Sequence, residues 1–272
     1  MSQHPFFEVE YDRDRKIATL FLNRPEARNA MNGDFWFGLP GIVDELEADP
    51  QVRCVVVAAR GKSFSTGLDI VDFFEKHRDV IGADSADARE ELLAMILRMQ
   101  AGMNRMAAGR NVYIAAVHRH CIGGGLDLIA ACDIRLASED ASFSLREARV
   151  AIVADMGSLN RLPGIIGMGN TRLMAYTGRD FKASEAQTMG LVSAVYPDAD
   201  TLLLEARKLA AEIAANPSIA VRGTKQVLNY IQDHSLEDGL REVALWNTAF
   251  IDSKDLREMV AAFREKRRPE FS

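Results

Sequence analysis

The chain has 272 residues, 48% hydrophobic and 26% charged, with a net charge of −6. That length and balance suit a soluble chain with a large core, and the acidic surplus disfavours wholesale nucleic-acid binding. No apolar run reaches bilayer length, the first ten residues lack a signal pattern, and Glu270-Phe271-Ser272 is not a peroxisomal address; a cytoplasmic protein with no membrane partner is expected.

Ile17 to Leu22 (IATLFL) predicts a strand, followed by a polar, Pro-containing loop from Asn23 to Asn32. Asp34 to Ala48 has helical character that Pro40-Gly41 is expected to break or kink. Cys54 to Ala59 (CVVVAA) is a continuous apolar run of the kind that forms a strand covered on both faces. Val112 to Val117 is a second such run and Ile134 to Ala137 a shorter third. Between them, Asp87 to Ala108 carries Leu92, Leu93, Ile96, Leu97, Met99, Met103 and Met106 near helical spacing, with the methionines as core filling. Buried strands alternating with helices imply an α/β architecture.

After Tyr196-Pro197 the pattern turns helical up to Arg268, with breaks at Asn216-Pro217, around His234-Ser235 and around Asp252-Ser253. Ser235 before Glu237-Asp238, and Asp252-Ser253 before Asp255, are helix starts. The division expected is an α/β core over residues 1–197 and a helical region over 198–272.

Several familiar chemistries drop out. Gly61-Lys62-Ser63 lacks the earlier glycine of a phosphate-binding loop, because Val56 stands there. Gly123-Gly124-Gly125 lacks the spaced third glycine of a dinucleotide fingerprint. His118 and His120 fit no metal-binding motif, and no serine sits in a nucleophile elbow. Cys54, Cys121 and Cys132 lie in apolar stretches without metal-ligand spacing and read as small buried hydrophobes.

Two glycine-containing turns remain, each after a buried strand: Gly61 to Asp69 after Cys54–Ala59, and Cys121 to Leu128 after Val112–Val117. Ligands of α/β proteins bind beyond the carboxyl ends of strands, where such turns lie. The triple glycine opens an apolar, helix-like run, so its N–H groups are unsatisfied donors at the positive helix end. Gly124 there and a second donor from the Leu68 turn would form a two-pronged oxyanion hole, each donor worth roughly 3 kcal/mol. Asp127 lies three residues beyond Gly124, on the same helix face one turn up. Glu147 and Asp155 are further candidate acids. By spacing alone, Glu147 reads equally as a salt-bridged surface acid and Asp155 as a helix N-cap. The terminal Arg264, Lys266, Arg267 and Arg268 read as a solvated helix end or as a phosphate contact.

Taken together, Leu22-Asn23-Arg24-Pro25-Glu26, Phe64 to Asp69, Ala115 to Ala137, Arg161-Leu162-Pro163 and Arg267 to Phe271 resemble the crotonase, or enoyl-CoA hydratase and isomerase, superfamily over essentially the full length. Within it the chain looks most like the Δ3,5-Δ2,4-dienoyl-CoA isomerases. Those enzymes carry Asp in the Gly-Gly-Gly-x-Asp position, filled here by Asp127, and a Glu followed eight residues later by an Asp, as Glu147 and Asp155 are here. Hydratases usually have Glu first and a glycine-rich turn in place of Ala154-Asp155.

The resemblance implies a spiral of ββα units whose C-terminal helices build homotrimers that pair into hexamers. It implies oxyanion donors from Leu68 and Gly124, and a coenzyme A contact through Arg24, Glu26 and Arg28, with Lys266 reaching phosphates within its own subunit or across a subunit boundary. Coenzyme A is then part of the substrate, and no separate cofactor or metal is expected. The expected reaction moves two double bonds from 3,5 to 2,4, with Glu147 as base at C2, Asp155 as acid at C6 and Asp127 supporting them. The alternatives are a 2-enoyl-CoA hydratase using Asp127 and Glu147 on water, a broad enoyl-CoA hydratase/isomerase of fatty acid degradation, or a non-catalytic acyl-CoA- or RNA-binding relative. The stretch from Val80 to Arg89 is expected to flank the acyl pocket.

Overall fold

The computed structural model describes residues 4–271. A six-stranded sheet is built from β1 (Phe7–Asp12), β2 (Ile17–Leu22), β3 (Cys54–Ala59), β4 (Val112–Val117), β6 (Ile134–Ser138) and β9 (Ala194–Tyr196), in that spatial order. β1 runs antiparallel to β2 and every later pairing is parallel. A smaller sheet joins β5 (His120–Ile122), β7 (Ser142–Ser144) and β8 (Phe181–Lys182). The helices are α1 (Gly33–Ala48), α2 (Ile70–Lys76), α3 (Arg78–Ile81), α4 (Ala86–Ala108), α5 (Gly124–Ala130), α6 (Ser158–Thr177), α7 (Ala183–Met189), α8 (Ala199–Ala214), α9 (Ser218–Tyr230), α10 (Leu236–Phe250) and α11 (Lys254–Glu265).

The continuous apolar runs have a simple cause: both faces of the large sheet are covered. Along β3, Val55 and Val57 face the core shared with α1, α4 and α5, while Cys54 and Val56 face the opposite core. Leu202, Ala206, Ala210 and Ala214 of α8 close that second face. Alternate side chains therefore point to different cores, and neither set can be polar. Although α8 follows residue 197, it packs as part of the α/β body, and only α9 to α11 extend beyond it.

The break expected at Pro40-Gly41 as one outcome does not occur: α1 runs unbroken from Gly33 to Ala48. Pro40 removes one helical hydrogen bond and clashes with the preceding turn, at a cost of about 3 kcal/mol. Against it, Phe35, Trp36, Leu39, Ile42, Val43 and Leu46 are all buried from this one helix, each stabilising by roughly 1.5–3 kcal/mol. Tertiary burial outweighs the local penalty. In the helical tail, Ser235 and Ser253 accept the Asp238 and Leu256 N–H groups as N-caps, at the breaks the sequence marks. Cys54, Cys121 and Cys132 are free and buried.

Candidate active site

The two glycine-containing turns meet. Ser65 N–H bonds His120 O at 2.8 Å and Ile122 N–H bonds Ser65 O at 3.1 Å, so the first turn lies alongside β5. Ser65 Oγ donates to Asn29 O and accepts the Gly67 N–H. On the other side, Met31 N–H bonds Gly67 O at 2.7 Å and Asp69 N–H bonds Met31 O at 3.0 Å. The peptide groups flanking Leu68 are thus fixed, yet among the described residues the Leu68 N–H has no acceptor. The Gly124 N–H, in the first turn of α5, has none either.

Only glycine allows this approach. Gly67 has φ +85°, and a Cβ there would stand 2.7 Å from Ile122 O and 3.5 Å from Gly124 N. A Cβ on Gly123 (φ +53°) would lie 3.0 Å from Glu147 Oε1. The two free N–H groups and a carboxylate therefore share one corner of a 330 Å3 cavity.

That cavity also takes in Asp127 and Asp155, so the structure brings all three candidate acids together. Asp127 is 1% exposed, and its Oδ1 accepts the Ser158 N–H at 2.7 Å. Burial pushes its carboxyl up to about 6, with that hydrogen bond working in the opposite direction. Glu147 is raised further, to about 7, by burial and then by the Asp127 charge. Its Oε2 is buried without a hydrogen-bond partner. Burial also raises Asp155 above the ordinary carboxylate value.

Both bland alternatives for these acids fail. Glu147 makes no salt bridge among the described residues, and Gly157, not Asp155, occupies the N-cap position of α6. The acceptor for the first turn of α6 comes instead from Asp127 on α5. Apart from Thr66 and Arg146 the rest of the wall is apolar, with Phe73 and Phe74 of α2, Ile81 of α3 and Leu92, Ile96 and Met99 of α4. Ile81 is the part of the Val80 to Arg89 stretch that reaches the cavity.

The proposed coenzyme A contacts lie outside the cavity lining. Arg24 bonds Asp69 Oδ2 at 2.6 Å and Ala30 O at 2.8 Å, which pins the loop to the start of α2 and holds the Asp69 carboxyl below its ordinary value. Glu26 and Arg28 are exposed on the same loop, and Lys266 caps the far end of α11. Its neighbour Arg267 forks onto Glu258. His118 and His120 have structural partners, Gly61 O and Ser63 Oγ.

Spacing gave no warning of three polar side chains close to the acids. Arg161, noted only as part of a motif, donates to Asn104 Oδ1 at 2.6 Å, and Gln100 donates to Asp155 O at 2.6 Å. The available signal was a pair of amides four residues apart on an otherwise apolar helix face. Arg146 also lines the cavity, with its guanidinium paired to Asp180.

A crotonase-like α/β fold with free N–H donors at two glycine turns and three acids on the same cavity defines a class, and the sequence agrees: the enoyl-CoA hydratase/isomerase family profile matches residues 12–272, so the chain belongs to that family. It is 41% identical to the mitochondrial Δ3,5-Δ2,4-dienoyl-CoA isomerase of Dictyostelium discoideum, over 100% of this chain and 92% of that protein. The peroxisomal protein of the same name from Arabidopsis thaliana is 40% identical over 97% of this chain and 95% of its own length. Among solved structures, the enoyl-CoA hydratase of Bacillus anthracis superposes with a TM-score of 0.85 at 29% identity, covering 98% of both chains. Among the described residues no helix is long and apolar enough to cross a membrane.

Proposed function

We propose that this protein isomerises 3,5-dienoyl-CoA to 2,4-dienoyl-CoA. The Leu68 and Gly124 N–H groups receive the thioester oxygen and stabilise the negative charge that develops there, each contributing about 3 kcal/mol. Glu147 takes a proton from C2, and the electron pair spreads over the oxygen, C2, C4 and C6. Asp155 delivers a proton to C6, leaving double bonds at C2 and C4. Removal and delivery occur four bonds apart, so two acids serve better than one. Asp127 stays hydrogen-bonded to Ser158 N–H and keeps the Glu147 carboxyl basic through its charge.

The observation that carries this reading is three acids lining one largely apolar cavity, Asp127 buried, Glu147 half-buried with its Oε2 unpaired, and Asp155 at the exposed rim with its carboxyl raised above the ordinary value. Higher identity to the two proteins named as dienoyl isomerases than to the hydratase structure supports it. Incubation with 3,5-dienoyl-CoA and, separately, 2-enoyl-CoA tests it. Growth of the conjugated 2,4-dienoyl absorbance is expected, and hydration of the monoene alone would reject the isomerase reading.

The active form is a homotrimer or a hexamer of paired trimers. Leu236 and Phe263 are 80% and 81% exposed on α10 and α11, more apolar surface than a lone chain keeps without a partner. Lys266 and the Arg24 to Asn29 loop serve coenzyme A in that assembly, and light scattering of the purified protein tests the state. The two relatives are named mitochondrial and peroxisomal, and cell fractionation decides the compartment of this chain.

A further inference from the structure

Asp155 stands on the least regular backbone of the site. Residues 151–157 belong to neither helix nor strand, whereas Asp127 is carried by α5 and Glu147 opens a short 3-10 turn. A catalytic side chain on such a stretch is only as well placed as its backbone is held. Two side chains of α4 hold it. Gln100 Nε2 donates to Asp155 O at 2.6 Å. One turn on, Asn104 Oδ1 accepts Arg161 Nη2 at 2.6 Å, and the same guanidinium reaches Met156 O at 3.4 Å.

Ile96, Gln100 and Asn104 are spaced four apart and share one stripe of α4. Ile96 lines the cavity and the other two do not. One helix is therefore both a wall of the acyl cavity and the clamp on the acid that sits across it.

We infer that Gln100, seconded by Asn104 through Arg161, is a positioning residue for Asp155 and serves proton delivery at C6 without serving proton removal at C2. The inference rests on the isomerase reading above. Glu147 and the two oxyanion donors have supports of their own in β5, β7 and α5, so the two half-reactions are separable by loosening α4's grip.

The test is Gln100→Met, which preserves the bulk of the side chain and removes the donor. Gln100 is partly exposed, so the fold should survive, as a thermal melt can verify. With 3,5-dienoyl-CoA in D2O, kcat for isomerisation should fall about tenfold, because misplacement of a reacting group by less than 1 Å is costly. KM and deuterium uptake at C2 of recovered substrate should stay within about twofold of the parent, since the interactions lost act only at C6. Unchanged isomerisation, or an equal fall in isomerisation and C2 uptake, overturns the inference. Asn104→Leu should give the same pattern more weakly, and it decides the matter if Gln100→Met does not fold. A parent protein that does not isomerise the dienoyl thioester overturns the function reading instead.

Discussion

Two polar clusters in this molecule are built in opposite ways. Lys225 of α9 is 6% exposed, and its Nζ donates to Met106 O, Asn111 O and Asp133 Oδ2 at 3.0, 2.8 and 2.9 Å. Asp133 Oδ2 also takes the Tyr113 N–H, and Tyr113 donates its hydroxyl to Glu47. Each of the ammonium's three donors has an acceptor, and the cluster fastens α9 to the end of α4 and the start of β4. In the cavity, by contrast, three acids crowd together, Glu147 Oε2 has no partner, and their carboxyls are raised. A cation whose donors all find acceptors marks a structural contact, even with Asn111 Oδ1 unpaired beside it, whereas acids with raised carboxyls gathered on a cavity mark a functional one.

Substitutions can break that contrast. Glu147→Gln should lower isomerisation by about a thousandfold, the loss of a general base, while leaving the folded structure in place. Circular dichroism with a dienoyl-CoA assay reads both outcomes. Asp155→Asn should likewise abolish isomerisation with the fold intact, and unchanged turnover would remove Asp155 from the mechanism. Lys225→Met should do the reverse, costing about 3–5 kcal/mol of stability through the unpaired Asp133, with turnover per folded molecule unchanged. Urea unfolding monitored alongside activity separates the two behaviours.

Acidity sharpens the comparison. Glu147 must be ionised to accept a proton, so kcat/KM should rise tenfold per pH unit below about 7 and level off above it. A pH profile of the wild-type protein checks this limb. The smallest effect concerns stability. Glu147 has a folded value above its ordinary 4.5, so the folded state binds the extra proton between about pH 4.5 and 7. Its contribution favours folding at low pH and is lost as pH rises through 7. Glu147→Gln should therefore raise Tm at pH 8 by a few degrees, for a gain of about 1–3 kcal/mol, and make little difference at pH 4. Thermal melts at the two pH values measure it.

Much of this was legible in the residues themselves. Strands β2, β3, β4 and β6 announce themselves as apolar runs, and the breaks at Asn216-Pro217, Ser235 and Ser253 are marked by proline and capping hydroxyls. These are local signals, set by backbone geometry and by side chains within one turn. Both glycine turns were visible for the same reason. The continuity of α1 through Pro40 was not, because six of its own side chains, buried against segments distant in sequence, overrule a local penalty. Nor could spacing tell whether Glu147 faced a cation or whether Asp155 capped α6, since the answer depends on α5 supplying Asp127 to Ser158 N–H.

The sequence by itself determined the apolar strands β2, β3, β4 and β6, the helical pattern of α4 and of the C-terminal part, the two glycine turns, and which family pattern the acids follow. Only the tertiary structure decided that Leu68 and Gly124 share a corner with Glu147, that α8 closes the sheet, and that Gln100 and Asn104 reach the Asp155 turn. Backbone preferences act over a few residues. Burial, charge and hydrogen-bond completion depend on what the folded chain brings within about 3 Å, and that follows from packing between segments far apart along it.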